Sequence, residues 1–370
     1  MKVLLLSLLA GLMPAQTTAG TDVNTLLREA ISLHQRGDAA AAIPKYEAAL
    51  RANPDIVPAR INLGAAYASL GRLDEAITAY QLALPAAGSN PALRLNLALA
   101  YYKRALYEEA IEQLLEVRRL QPSNRQSVLL LADSWLVLGE HKKMIDLLQP
   151  LARQDPEDRA VTYLLGTALV RDGQLEAGQR VIDRLLRDGE SAEVLMLMAS
   201  MQMAGANTKE ALALIEKAIA RNPDLPGIYT LLGKARQNDG EPALAREAFV
   251  RAIEQNPNDY EANLNAGALL RVEREYAKAR ECLTRARQLR PQSVALKYQF
   301  GNLEMAEGRL EEALKELEAV TREAPNFIEG HISLAQLYYR LKRKEDGDRE
   351  RAIVTRLQAE NQQRDTGRTQ

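Results

Sequence analysis

Histidine, cysteine and methionine are the side chains from which a proton carrier, a nucleophile or a soft-metal cage would be built. This chain holds three His, one Cys and eight Met in 370 residues. His34, His141 and His331 lie far apart along the chain, so no two are expected to share a site, and His34 reads as a surface histidine. Cys282 stands alone, which rules out an internal disulfide and reads as an inert, partly buried thiol. Met196, Met198, Met201 and Met203 crowd one helical stretch. Thioethers bind Cu(I), but no His or Cys accompanies these four, which leaves adaptable packing as their role. The sequence contains no HExxH, GxSxG or SxxK, no glycine-rich phosphate loop and no Cys/His metal cluster. Its carboxylates fall as i, i+4 partners of Lys and Arg on solvated faces. No enzyme activity, metal or cofactor is expected. The test for an enzyme would be a pair of facing, buried carboxylates in a groove.

The elements that must carry these residues repeat. Arg60–Leu84, RINLGAAYASLGRLDEAITAYQLAL, reads as two short amphipathic helices around Gly71. Gly71 suits the left-handed residue ending the first helix, and Asp74 and Glu75 place negative charge at the start of the second. Residues equivalent to Gly64 recur as Ala30, Gly64, Ala98, Ala132, Gly166, Ala199, Gly233, Gly267, Gly301 and Ala335, 34 residues apart except for one step of 33. A second column runs Ala42, Ala76, Ala110, Met144, Gly178, Ala211, Ala245, Ala279 and Ala313. Prolines at 54, 122, 156, 223, 257, 291 and 325 stop the second helices. Small residues at a crossing let helices approach to about 8–10 Å, so both columns should be buried at helix contacts. The result is an all-α chain in which each unit touches only its neighbours.

A 34-residue helical hairpin with Leu63, Gly64 and Tyr67, then Ala76, Tyr80 and Ala83, with Gly88 where other units have proline, resembles the tetratricopeptide repeat. The resemblance, to an exported bacterial type, covers nine complete units over residues 23–327, with a half repeat and capping helix over 328–360 and a disordered tail at 361–370. It implies a right-handed superhelical solenoid whose first helices line a concave groove for a protein or peptide partner. Carried onto this chain, the groove positions are Leu95, Leu99, Tyr102, Leu129, Asp133, Leu136, Tyr163, Thr167, Met196, Ser200 and Met203. The family's carboxylate clamp is not expected. Asn62 matches one clamp position, but Leu27, Ile31, Ala92 and Asn96 stand where its other polar residues belong, and Asn62 and Asn96 read as residues bonding backbone between repeats.

The individual units add expectations. In the first, Glu29 replaces a leucine, as suits a terminal repeat. Pro85 should shorten the second helix of unit two. Met144, Leu151 and Leu185 are large where other units are small, which predicts altered curvature over residues 125–191, with Trp135 packed in the core. In the final helix charge replaces the small-residue column, as in a solubilising cap.

Met1–Gly20, MKVLLLSLLAGLMPAQTTAG, reads as a signal peptide cleaved after Ala19 or Ala15. Its apolar run is too short for a permanent span, and no other segment of the mature chain is expected to cross a membrane. Export to the periplasm or beyond follows. The net charge of −1 offers no long-range field for nucleic acid, and Arg271–Arg290, with seven basic residues against three Glu, reads as a solvated surface. The expected function is a non-catalytic interaction scaffold of the cell envelope. The alternatives are a structural subunit of a secretion, pilus or polysaccharide-export assembly, and an enzyme with an unrecognised groove site.

Overall fold

The structure, a computed structural model, describes residues 18–187 and 189–367. The signal-peptide reading lies almost wholly outside the described residues. Among the described residues there are twenty helices and no strand. They fall into two compact units divided between Asp172 and Gly173.

In the first unit α1 (Thr18–Gln35) pairs with α2 (Ala39–Ala52), α3 (Val57–Ser69) with α4 (Leu73–Ala87), and α5 (Pro91–Lys103) with α6 (Tyr107–Leu120). Next comes α7 (Arg125–Leu138) with α8 (His141–Gln154), and α9 (Arg159–Arg171) packs on α8. In the second unit α10 (Leu175–Leu186) packs on α11 (Ala192–Ala204), which pairs with α12 (Thr208–Arg221). The hairpins α13 (Ile228–Asn238) with α14 (Pro242–Gln255) and α15 (Tyr260–Val272) with α16 (Tyr276–Leu289) follow. Then come α17 (Val294–Ala306) with α18 (Leu310–Glu323), and α19 (Ile328–Arg340) with α20 (Lys344–Gly367).

In four hairpins a glycine of the first helix faces a large side chain of the second. All ten members of the first column are buried. A Cβ at Gly64 would stand 2.6 Å from the Tyr80 ring, and one at Gly233 would stand 2.5 Å from Phe249. Gly267 and Gly301 meet Leu283 and Leu317 in the same way, each at 2.7 Å. The partner always lies sixteen residues on, so the contact joins the two helices of one hairpin. The turn between them uses a left-handed residue at a fixed register. Gly71 has φ +75°, but Ala105, Ala206, Arg274 and Lys342 also hold φ between 59° and 66°. In three hairpins a tyrosine at one register ties the hairpin to the one before: Tyr67 to Glu47 at 2.5 Å, Tyr101 to Gln81 at 2.7 Å, and Tyr338 to Glu318 at 2.9 Å.

Several local expectations need correction. Pro85 does not shorten α4, which runs to Ala87. A proline this close to a helix end removes one bond and crowds one carbonyl, which the last turn can absorb without stopping. Gly347, not a charged residue, keeps the small-residue register in α20, buried against Tyr339, so α19 and α20 form a full hairpin. That helix continues to Gly367, seven residues beyond the expected end, because no proline or glycine interrupts the stretch after Gly347. His331 fastens it: Nδ1 lies 2.5 Å from Glu350 Oε2 and Nε2 lies 3.0 Å from Pro325 O. His34 is buried, edge-on to Tyr46 at 6.2 Å, and burial pushes its pKa down. Glu29 is exposed and paired with Lys45 at 2.6 Å. The two helices of the α7–α8 hairpin pack less closely than those of the other hairpins of its unit, with Trp135 and Met144 buried between them.

Candidate functional site

The candidate site is the face of the first helices in the first unit, carried by α5, α7 and α9. The expectation is too generous at α5. Leu95 and Leu99 are 3% and 8% exposed, so they pack within the unit and offer little surface. Tyr102, Leu129, Asp133, Leu136, Tyr163 and Thr167 are all partly exposed. On α7, Leu129 and Leu136 flank Asp133 at i−4 and i+3, so the three share one face.

Asp133 is the polar centre of this face. Its Oδ2 accepts a hydrogen bond from Tyr102 Oη, which reaches across from α5. Tyr102 is itself fixed edge-on against Tyr107, with ring centroids 5.4 Å apart and planes at 80°. Burial pushes the Asp133 carboxyl pKa up, and the Tyr102 bond opposes that shift. Burial, and then the Asp133 charge, push the Tyr102 phenol up as well. Bases on the same elements have partners of their own: Arg94 bonds Gly88 O and Gln113, Arg104 pairs with Asp74, and Arg125 pairs with Asp158. Thr167 turns its hydroxyl proton back to Tyr163 O at 3.0 Å, so it bonds its own helix.

Met196, Ser200 and Met203 belong to α11 in the second unit. Met196 and Met203 pack partly buried against the core of that unit, and Ser200 Oγ donates to Met196 O at 2.9 Å. Further along the second unit the same register is occupied by polar bonds between repeats. Lys234 pairs with Glu261 at 3.1 Å, Thr230 donates to Asp259 at 2.5 Å, and Ser333 donates to Asn302 at 3.0 Å.

One feature lies outside the sequence reading. An open cleft of about 570 Å³ runs between α2 and α4 over α3, lined by Glu47, Leu50, Arg60, Leu63, Tyr67 and Leu82. Its central pair, Tyr67 and Glu47, is one of the recurrent interhairpin ties, and Leu82, 59% exposed, is its clearest sequence-level signal. Asn96 is also a correction. Rather than bonding backbone, it is buried with neither side-chain amide atom partnered, beside Tyr80 and Leu99.

Among the described residues no group of three or more His, Cys, Asp or Glu is placed to hold a metal, and no helix is long and apolar enough to cross a membrane. Cys282 is partly buried, and burial pushes its thiol pKa up, the direction that disfavours a reactive thiolate.

Models of the tetratricopeptide repeat match residues 27–91, 95–159, 163–226 and 230–294, and a second such model matches 270–337. The chain belongs to the tetratricopeptide repeat family. The candidate face therefore lies on the first helices of its third to fifth tetratricopeptide repeats. Among solved structures the chain is similar to a tetratricopeptide repeat protein from Parabacteroides merdae ATCC 43184, with 18% identity, 68% of this chain and 100% of that one covered, and a TM-score of 0.59. It is also similar to the Cut9–Hcn1 hetero-tetramer of APC/C, with 15% identity, 91% and 81% covered, and a TM-score of 0.58. At these identities the likeness shows the tetratricopeptide fold alone. No curated protein matches the chain.

Proposed function

We propose that this tetratricopeptide repeat protein is a non-catalytic interaction scaffold that takes a segment of a partner protein against the first-helix face of α5, α7 and α9. The observation that supports this reading is the composition of that face. Leu129, Leu136 and Tyr163 remain partly exposed around a single carboxylate, a mixture suited to an amphipathic partner. The apolar run at the N-terminus adds export to the proposal, which places the partner in the cell envelope or outside the cell.

The test is affinity capture from the native envelope with the mature chain, read by mass spectrometry beside a Leu129→Lys/Tyr163→Lys variant. Both side chains are partly exposed, so circular dichroism should show the helices intact. The captured set should disappear with the variant. If the variant captures the same proteins, this face is not the binding surface, and contacts through repeat edges, as in a structural assembly subunit, take its place.

A further inference from the structure

An ionised carboxylate set among leucines is unfavourable unless a cation or several donors meet it. Asp133 has one donor, the Tyr102 hydroxyl. Its bond occupies Oδ2, and no Lys or Arg of the described residues forms an ion pair with it. Elsewhere in the chain the same register is satisfied from within. Lys234 is neutralised by Glu261, and Asn302 accepts from Ser333. Asp133 is thus a charged group whose complement its own unit does not supply. Tyr102 is held by Tyr107 and offers an acceptor lone pair beside the carboxylate, so two acceptors stand together in a fixed arrangement.

We propose that Asp133 and Tyr102 receive an arginine side chain from the partner segment, with Leu129 and Leu136 taking the apolar residues beside it. The inference rests on the scaffold reading above and narrows it to one partner chemistry. A guanidinium fits better than an ammonium. Its planar fork presents parallel N–H donors, one for Asp133 Oδ1 and one for Tyr102 Oη. It is also the more weakly hydrated cation, so it gives up water more readily on entering an apolar face. The charges are complementary and the flanking surface is apolar, which favours a segment of the form apolar–Arg–apolar at helical spacing.

The test is selection of a random dodecapeptide phage library on the mature chain and on Asp133→Asn. Asparagine keeps an acceptor for Tyr102 and removes the charge. The wild-type chain should enrich Arg flanked by apolar residues, and the variant should lose the Arg while keeping the apolar positions. With a synthetic peptide from the selection, Arg→Gln should weaken binding to the wild type on the order of tenfold or more and leave binding to Asp133→Asn nearly unchanged. Enriched peptides without Arg, or an equal loss in both proteins, would overturn the arginine assignment and leave the scaffold reading in place. Failure of the wild-type chain to enrich any peptide sequence would overturn both.

Discussion

The two units use one repeat and finish it differently. In the second unit, hairpin is joined to hairpin by charge. Arg246 meets Glu273 at 3.2 Å, Arg280 meets Glu304 at 2.8 Å and also Glu307, and Arg287 meets Glu316 at 2.8 Å. Arginines also lie over rings, Arg287 at 3.5 Å from Phe300, Arg290 at 4.1 Å from Tyr260 and Arg251 at 4.2 Å from Tyr229. The basic stretch Arg271–Arg290 is therefore largely engaged by the protein itself. In the first unit Leu129 and Leu136 stay partly open on the first-helix face, Leu95 and Leu99 are covered, and Asp133 has a single hydroxyl donor. Charge also joins hairpins in the first unit, Arg104 with Asp74 at 2.6 Å and Arg125 with Asp158 at 2.9 Å. The contrast therefore lies at one register position: Lys234 has its counter-ion within its unit, and Asp133 has none among the described residues.

What the units share gives the largest expected effect. Gly64 and Gly233 both receive a bulky ring, so Gly64→Leu and Gly233→Leu should each cost about 1–3 kcal/mol or more by overpacking the crossing. Because stability in a repeat array is local, each substitution should lower the urea midpoint of its own unit. Hydrogen exchange resolved along the sequence would read this directly. If both variants loosened the same unit, the division into two compact units would be wrong as an energetic statement.

Much of this was legible in the chain, and the reason is periodicity. A residue type repeated ten times in register reports a contact that is itself repeated ten times, and the Gly/Ala column is such a contact. Features that occur once carry no such signal. Tyr102 and Asp133 are 31 residues apart on helices of successive hairpins, and their bond exists only once those hairpins stack. Leu95 and Leu99 share the register of lining residues, and only the packing around α5 shows that they are covered. His34 and His331 look like isolated polar residues in the sequence, yet each is buried by a neighbouring element, α2 for the first and α20 for the second. The length of α20 depended on the absence of a stop signal, which is weaker evidence than the presence of one.

The second prediction sharpens the contrast at one register position. Burial raises the folded-state pKa of Asp133 above the ordinary carboxylate value of 3.8. Between those two values the folded protein holds more protons than the unfolded chain, so stability falls as pH rises through the window and then levels off. Asp133→Asn removes that penalty. The variant should be more stable than the wild type at pH 7, by about 1 kcal/mol, and the advantage should vanish below 3.8, where the carboxyl is neutral in both states. Lys234→Met should do the opposite and less, losing about 0.5 kcal/mol or under, because its pair with Glu261 is partly exposed. Thermal melts from pH 3 to 8 give both curves. A wild type already as stable as Asp133→Asn at pH 7 would mean that Tyr102 alone satisfies the carboxylate, and the difference between the units would shrink accordingly.

The smallest effect tests whether the turns, unlike the faces, are equivalent. Ala105 in the first unit and Arg274 in the second both hold left-handed backbone, at φ 59° and 66°, where six other turns at this register have glycine. A side chain in that region costs on the order of 1 kcal/mol, because Cβ crowds the adjacent carbonyl. Glycine removes the clash but gives the unfolded chain more freedom, which returns part of the gain. Ala105→Gly and Arg274→Gly should each therefore stabilise by roughly 0.5 kcal/mol, visible as a small rise in the urea midpoint with an unchanged slope. Ala105 is buried and Arg274 is exposed, so loss of the methyl group should make the first gain the smaller of the two. If Arg274→Gly destabilised the protein instead, the arginine side chain would be contributing more at that turn than its backbone strain costs. The turns of the two units would then differ as the faces do.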